Sequence, residues 1–496
     1  ALEEAGLTLN PSDEVRPPRN SPLPHGLQSP EEEITITIVR VTETIELIPE
    51  SIPYKRRIIR SADLPPEDSP KILQTGSAGL REVNMRIVFR DGLEAERWPI
   101  SVDIVEPPQD EIIMIAVSSR RDAMSFRGRL AYADDGRAIV LDGSTDFPRQ
   151  LPIDARLDGR VFQLSPDGRY LLYSAAGEGA EPESFGNELW VVETTGEAVP
   201  RSLRVENVLW AGWDPSAVAV PRIAYSTARA VSLPPGWEAN NDLWLLELSP
   251  DGSQTTPIRL VESYAPATAW WGGNYAWSPS GHRLAYAYAD EVGLLDMPEQ
   301  SPVDGAQSPP APPSRTVLHT FQPYETGADW AWIPVLSWSS DGRYLAFSEH
   351  TTVDDDREQF NILLADTISG ASVEFAVDPG IWSAVEWSPE SSSDARLATL
   401  LAVEPGLSEE SAYRLWLSDG DGSNATQVFP PDGETGRFGR SYQSLSWGPD
   451  SEQLAFIFDG ALTILELSTG ESYTSAADDT VSSHLTWAPY GAAVGP

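Results

Sequence analysis

No cysteine occurs in the 496 residues, which removes thiolate catalysis, disulfides and cysteine-bound metals. Lysine is almost missing too: Lys55 and Lys71 are the only two, and the remaining basic residues are arginine. The five histidines (His25, His282, His319, His350, His484) are scattered, with no HExxH run and no pair at helical spacing, which argues against a zinc or triad enzyme. No window reaches the roughly 18–20 uninterrupted apolar residues of a membrane span. Positive charge is outnumbered, 34 basic against 75 acidic residues, for a net charge of −41. Such a field repels nucleic acid and anionic membrane, and it favours solubility and divalent cations.

What is present is a folded composition, 41% apolar and 22% charged, in a chain long enough for about two to four domains. Three segments follow one another. In residues 1–41, "ALEEAGLTLNPSDEVRPP" begins as one helical turn that stops at Gly6, and "EITITIVRV" alternates as a half-buried strand. One turn of helix and one strand cannot bury a core. The run Ala1, Leu2, Ala5, Gly6, Leu9, Asp13, Val15, Pro17, Leu23, Gly26 and "ITIVRV" resembles the ubiquitin-like module that precedes G-five domains in bacterial surface proteins. The resemblance implies that the chain begins mid-domain, with a signal or anchor upstream.

Residues 42–118 alternate as strands, "TETIELIP", "KILQTG", "REVNMRIVFRDGLEAERWPISVDIVEPP" and "DEIIMIAV", with "RDGLE" as an Asp-Gly hairpin. With Glu46, Pro49, Gln74, Gly76, Gly79, Gly92, Glu106, Pro107 and Glu111 they resemble a G-five domain, an elongated all-β stalk without a deep core. Glu67 and Ala116 stand where that family has glycine. The resemblance implies either binding of cell-wall polysaccharide or peptidoglycan, or a rigid spacer on the cell surface.

Residues 119–496 repeat. The turn recurs in "LSPDGRYLLYSA", "WDPSAVAVPRIAYSTA", "WSPSGHRLAYAYA", "WSSDGRYLAFSE", "WSPESSSDARLATLLA" and "WGPDSEQLAFIF". The leading residues Leu164, Trp213, Trp277, Trp338, Trp387 and Trp447 lie 49, 64, 61, 49 and 60 positions apart. A second pair of strands follows each turn, so each unit reads as a four-stranded antiparallel blade. "RGRLAYADDGRAIVLDG" lacks a leading unit, and the terminal 482–491 supplies one, so the two make a composite blade that closes a ring. The repeats resemble TolB-type, WD40-like β-propellers. The expected fold is therefore mostly β: a G-five stalk and a propeller of roughly seven blades, six remaining open, after a partial ubiquitin-like α+β module.

No G-x-S-x-G elbow or hydrolase domain accompanies the repeats. A glycosidase needs two carboxylates, which this chain has in abundance, but no family resemblance supports that class. Calcium is the cation considered: Asp419, Asp421 and Asn424 in "SDGDGSN", and the triplet Asp354, Asp355 and Asp356, offer oxygens, although "DGDGS" also fits a hairpin turn and the triplet a solvated loop tip. Beyond the repeat tryptophans, which are expected to pack between blades, a second set precedes them: Trp210, Trp270, Trp271, Trp330, Trp332 and Trp382. Blade alignment gathers these on one face around the channel mouth, with Glu325 and Asp329 as acceptors, and places Trp330 and Trp332 on one side of a short strand before Pro334. Flat aromatics beside carboxylates suit pyranose rings, and they equally suit a protein partner or the filling of gaps between blades.

Two readings follow. One is a non-enzymatic extracellular surface protein in which the stalk presents the propeller to a glycan or protein. The other is a structural subunit of a surface layer or filament, self-assembling through propeller contacts bridged by calcium.

Overall fold

A computed structural model describes residues 6–16, 18, 36–52, 54, 56–61, 71–116, 119–120, 123–176, 186–195, 198–217, 220–248, 254–264, 267–298, 312–353, 357–389, 395–431, 433–434, 436–440, 444–475 and 482–490. The helical turn expected at residues 1–6 falls mostly outside them, as does the Asp354–Asp356 triplet. The chain divides into two compact units, residues 1–116 and 117–496. Both are built from strands, with two 3-10 turns and no α-helix among the described residues. No described helix is long and apolar enough to cross a membrane.

In the first unit Glu14–Arg16 pairs with Thr37–Val39, and the buried Asp13 carboxylate accepts from the amides of Asn10 and Val41 and from Arg40. Val41–Ile52 then runs antiparallel to Gly79–Arg90, which pairs on its other side with Leu93–Glu106. The Asp-Gly signal closes that hairpin, with Asp91 at φ 51° and Gly92 at φ 81°, both in the left-handed region a two-residue type I′ turn requires. A second small sheet sets Arg56–Ser61 parallel to Glu111–Ala116 and Lys71–Gln74 antiparallel to it. Only Val83, Ile87 and Val88 form a buried apolar stripe in this unit among the described residues, so its sheets are thin, as alternating strands with polar faces dictate.

The second unit holds seven sheets among the described residues, antiparallel but for one short parallel pair between Ser119–Arg120 and Ser472–Thr474. The first joins Arg149–Gln150, Arg137–Ser144 and Ser125–Asp134 to Ser482–Ala488 from the far end of the chain, with Arg129 opposite Ala488 and Tyr132 opposite Leu485. The other six open with Leu157–Leu164, Val208–Trp213, Asn274–Trp277, Leu336–Trp338, Val385–Trp387 and Leu445–Trp447; the first five are local in sequence, and the sixth also takes Ser119–Arg120 alongside Ser472–Thr474. These opening strands touch one another in that order, and both the last and the first touch Ser482–Ala488, so the contacts run in a circle.

Apolar cores fill each interval between neighbouring sheets. Phe162 and Tyr173 pack against Ala131 and Val140; Leu172 and Val191 against Trp213 and Ile223; and so around to Ile457 and Ile464 against Leu130 and Leu485. Tyr173, Tyr286, Phe162, Phe347 and Phe456 are completely buried, each stabilising by about 1.5–3 kcal/mol.

The repeated turn has a local cause. In "SSDGRY" the Ser339 hydroxyl donates to Asp341 at 2.6 Å and accepts the Tyr344 amide at 2.8 Å, while Asp341 accepts the Arg343 amide at 3.0 Å. These bonds hold the Asp341 carboxyl below its ordinary range, the Ser339 hydroxyl contributing most. Ser165, Asp167 and Tyr170 repeat the arrangement, and Gly168 and Gly342 take the left-handed position at φ 68° and 71°.

Candidate functional site

The leading tryptophans join neighbouring sheets. Trp213 donates its indole N–H to the Gln163 carbonyl at 3.1 Å, Trp277 to Gly212 at 3.3 Å, Trp338 to Ala276 at 2.9 Å and Trp447 to Glu386 at 3.0 Å. In each case the acceptor is the residue just before the leading position of the preceding sheet. Trp487 departs from the pattern and donates to Arg127 at 2.8 Å, and the buried Trp387 N–H has no partner.

The second set of tryptophans occupies the segments that lead into these strands, except Trp210, which lies within Val208–Trp213. Trp210, Trp271, Trp330, Trp332 and Trp382 line one cavity of about 340 Å³, together with Gly159, Asn274, Val335, Ser383 and Ser444. Six of the seven sheets supply lining residues at or just before their opening strand, so the cavity sits at one end of the circle. Its volume lies at the small end of the range for sites that hold a compact ligand.

Two aromatic groups form the walls. Trp330 stacks on Trp382 at 5.7 Å between centroids, 25° from parallel. Trp271 packs against Trp237 at 4.7 Å and meets Trp270 edge-on at 5.5 Å, and neither Trp237 nor Trp270 lines the cavity. Trp210 and Trp332 are 7% and 5% exposed. Trp332 is wedged among Phe321, Phe360 and Ile381 and donates to the Ile381 carbonyl at 3.1 Å, whereas Trp210 leans on Tyr275 at 4.9 Å.

The expected short strand carrying Trp330 and Trp332 does not form; the strand starts at Leu336. Instead Thr326 accepts the Ala328 amide and donates to the Trp330 carbonyl at 2.6 Å, curling the segment before Pro334. Side-chain alternation therefore fails, and one indole is buried while the other stays partly open. The same curl leaves Glu325 and Asp329 exposed and off the lining.

Charge at the cavity comes from Arg160 and Arg440 instead. Arg160 lies over Trp237 at 4.7 Å, and Arg440 lies over Trp382 at 5.2 Å while donating to the Glu409 carbonyl at 2.8 Å. No Asp or Glu lines the cavity among the described residues. Sequence reasoning passed over Trp237, Arg160 and Arg440. The usable signal for the arginines was position, because they precede the leading residues Leu164 and Trp447 by four and seven places, in the same stretch that carries the indoles.

Asp419, Asp421 and Asn424 lie in a hairpin turn between Tyr413–Asp419 and Thr426–Phe429. Asp419 accepts from Ser423 and Asn424, Asp421 accepts the Ser423 amide at 2.9 Å, and Asn424 takes a left-handed φ of 56°. The side chains are engaged within the turn itself. Among the described residues no group of three or more His, Asp or Glu converges as a metal cage.

The chain is 29% identical over 115 residues to resuscitation-promoting factor RpfB of Mycolicibacterium smegmatis (strain ATCC 700084 / mc(2)155), a match covering 23% of this chain and 29% of that protein. The chain thus spans under a third of the length of that relative. Among solved structures, HP0197-G5 is 25% identical with a TM-score of 0.14, over 15% of this chain and 96% of its own. A prolyl endopeptidase is 12% identical with a TM-score of 0.43, over 73% of this chain and 50% of its own. Residues 42–115 match the G5 domain family, and that segment is a G5 domain.

Proposed function

We propose that this chain is a non-enzymatic extracellular binding protein whose seven sheets act as the blades of a TolB-type β-propeller, presented by the G5 domain and gripping a glycan in the indole cavity. The carrying observation is the convergence of five tryptophans, from at or before the opening strands of four different sheets, on one cavity of about 340 Å³. Indole faces pack against the C–H faces of pyranose rings, and a cavity of this kind needs few polar groups to orient its ligand. The circular order of sheet contacts supports the propeller reading. The G5 domain and the likeness to a resuscitation-promoting factor support a cell-wall setting, with peptidoglycan or wall polysaccharide as partner.

The test is co-sedimentation of the full chain with insoluble peptidoglycan and with chitin, beside a Trp330→Ala, Trp382→Ala double variant. Both indoles are partly open, and the melting temperature of the variant is measured beside its binding. Binding that falls at least about 10-fold in the variant supports the cavity as the glycan site, about 1.4 kcal/mol at minimum. Equal binding by both proteins transfers wall attachment to the stalk and refutes the propeller's part.

Assembly is the second reading, favoured by the first unit. Val41–Ile52 and Leu93–Glu106 are the outer strands of their sheet and expose Ile45, Leu93 and Ile104, a template for pairing with another copy. Size-exclusion chromatography with and without chelator separates a calcium-bridged polymer from a monomer.

A further inference from the structure

A second cavity, of about 270 Å³, lies between the third and fourth sheets around the circle. Leu243, Leu260 and Val261 line it from one sheet, Tyr275, Tyr286 and Leu295 from the next, and Tyr264 and Tyr288 from the segments beside them. Tyr288 meets Tyr264 at 6.3 Å and Tyr275 at 6.4 Å, both edge-on, and Tyr286 at 5.4 Å. This cavity and the indole cavity share no lining residue.

The polar side chains that line it already have partners. Arg315 Nε donates to the Tyr286 hydroxyl at 2.7 Å, and its guanidinium pairs with Glu291. The hydroxyls of Tyr275 and Tyr288 lie 3.1 Å apart, and Tyr264 bonds to Tyr288. Glu262 pairs with Arg259 at 2.7 Å. Burial holds the phenols of Tyr275 and Tyr288 well above their ordinary range, so they stay uncharged. One atom is the exception. Asn241 lines the cavity, is 1% exposed, and donates to the carbonyls of Tyr264 at 3.1 Å and Ala269 at 3.0 Å. Those two bonds fix which end of the amide is nitrogen, and they leave Oδ1 without a donor among the described residues.

Size and polarity together choose the occupant. An apolar cavity of about 150 Å³ holds one benzene ring, so about 270 Å³ corresponds to roughly two fused rings. A charged group there would lose its water with no unpaired counter-ion among the lining residues, and a sugar's hydroxyls would find one acceptor where several are needed. Edge and face contacts with four tyrosines favour an aromatic ring over a saturated one. We propose that this cavity takes an uncharged, two-ring aromatic ligand carrying one hydrogen-bond donor, with the donor given to Asn241 Oδ1 and the rings held among the tyrosines. The site is separate from the indole cavity and independent of the glycan reading.

Titration calorimetry on the full chain at neutral pH tests it with naphthol, its methyl ether and naphthoate. Naphthol is expected to bind at least about 10-fold more tightly than the anion, whose charge finds no partner. The ether lacks the donor and should bind about 3-fold or more weakly than naphthol. Leu260→Trp fills the space and should abolish naphthol binding, with the melting temperature measured alongside. Leu295→Phe, a smaller addition, should weaken it by at least about 5-fold. The Trp330→Ala, Trp382→Ala double variant should bind naphthol as the parent does. Binding that is lost in that double variant and kept in Leu260→Trp belongs to the indole cavity and overturns the proposal. Equal affinity for naphthol and naphthoate overturns it as well, as does the absence of naphthol binding. Equal affinity for naphthol and its ether overturns the role assigned to Asn241.

Discussion

The indole N–H of Trp338 donates to the Ala276 carbonyl at 2.9 Å, while Trp387, at the same position of the next sheet, keeps its N–H buried without an acceptor. Phenylalanine at either site removes a similar ring area. In Trp338→Phe the partly buried Ala276 carbonyl also loses its donor, whereas in Trp387→Phe an unsatisfied donor disappears. Trp338→Phe should therefore destabilise by about 1–2 kcal/mol more than Trp387→Phe. Denaturant titration of the two variants measures the difference, and equal losses would show that the sheet-to-sheet hydrogen bond carries no net stability.

Asp214 and Arg222 form an ion pair with side chains 0% and 4% exposed, and Arg222 Nε donates to the carboxylate at 2.7 Å. Asp214→Ala strands a buried cation, and about 3–5 kcal/mol should be lost. The Asp214→Ala, Arg222→Met double variant should be substantially more stable than Asp214→Ala. A double variant no better than the single one would locate the loss in the turn geometry, since Asp214 also accepts the Ser216 amide.

Glu386 occupies the position before the leading Trp387, within the circle of opening strands, and burial pushes its carboxyl from 4.5 up to about 8. The native state then holds a proton that the unfolded chain releases between those values. Its contribution is present in full below about pH 4.5 and is lost as pH rises, by up to about 1.4 kcal/mol per pH unit until about pH 8. Glu386→Gln should flatten this slope, so its stabilisation relative to the parent grows from pH 5 to pH 8. Melting curves at those two pH values, compared between the two proteins, give the sign directly.

Trp330 and Trp332 separate binding from folding. Trp332 sits among Phe321, Phe360 and Ile381, so Trp332→Ala should cost about 3–5 kcal/mol. Trp330→Ala, at a partly open indole stacked on Trp382, should leave stability within about 1 kcal/mol of the parent while weakening glycan binding. Thermal unfolding beside binding assays checks both halves.

The repeat signature carried much of the fold, because each "SxDGRY" turn is stabilised by its own side chains and needs nothing distant. The same holds for Asp91–Gly92 in the stalk. The cavity was legible only as a list of indoles. Which of them face inward depends on how segments from six sheets meet, and on the Thr326 curl that buries Trp332, opens Trp330 and carries Glu325 and Asp329 outward. Periodicity along one segment has no information about that meeting. The arginines escaped notice for the same reason: each is an ordinary surface residue in its own stretch, and only the circle brings them to a common mouth.

The pairing of Ser482–Ala488 with Ser125–Asp134 also sets the order of events during synthesis. Asp134 and Ser482 are 348 positions apart, yet they share a hydrogen bond across one seam. Six sheets can form as they leave the ribosome, whereas Leu130 and Tyr132 wait for Leu485 before their core is complete. Until then the nascent chain carries an open edge and an uncovered apolar face, the period of greatest exposure to aggregation. Once the last strand docks, an array that could have frayed sheet by sheet becomes a ring with no free end, and losing any one sheet means opening the whole.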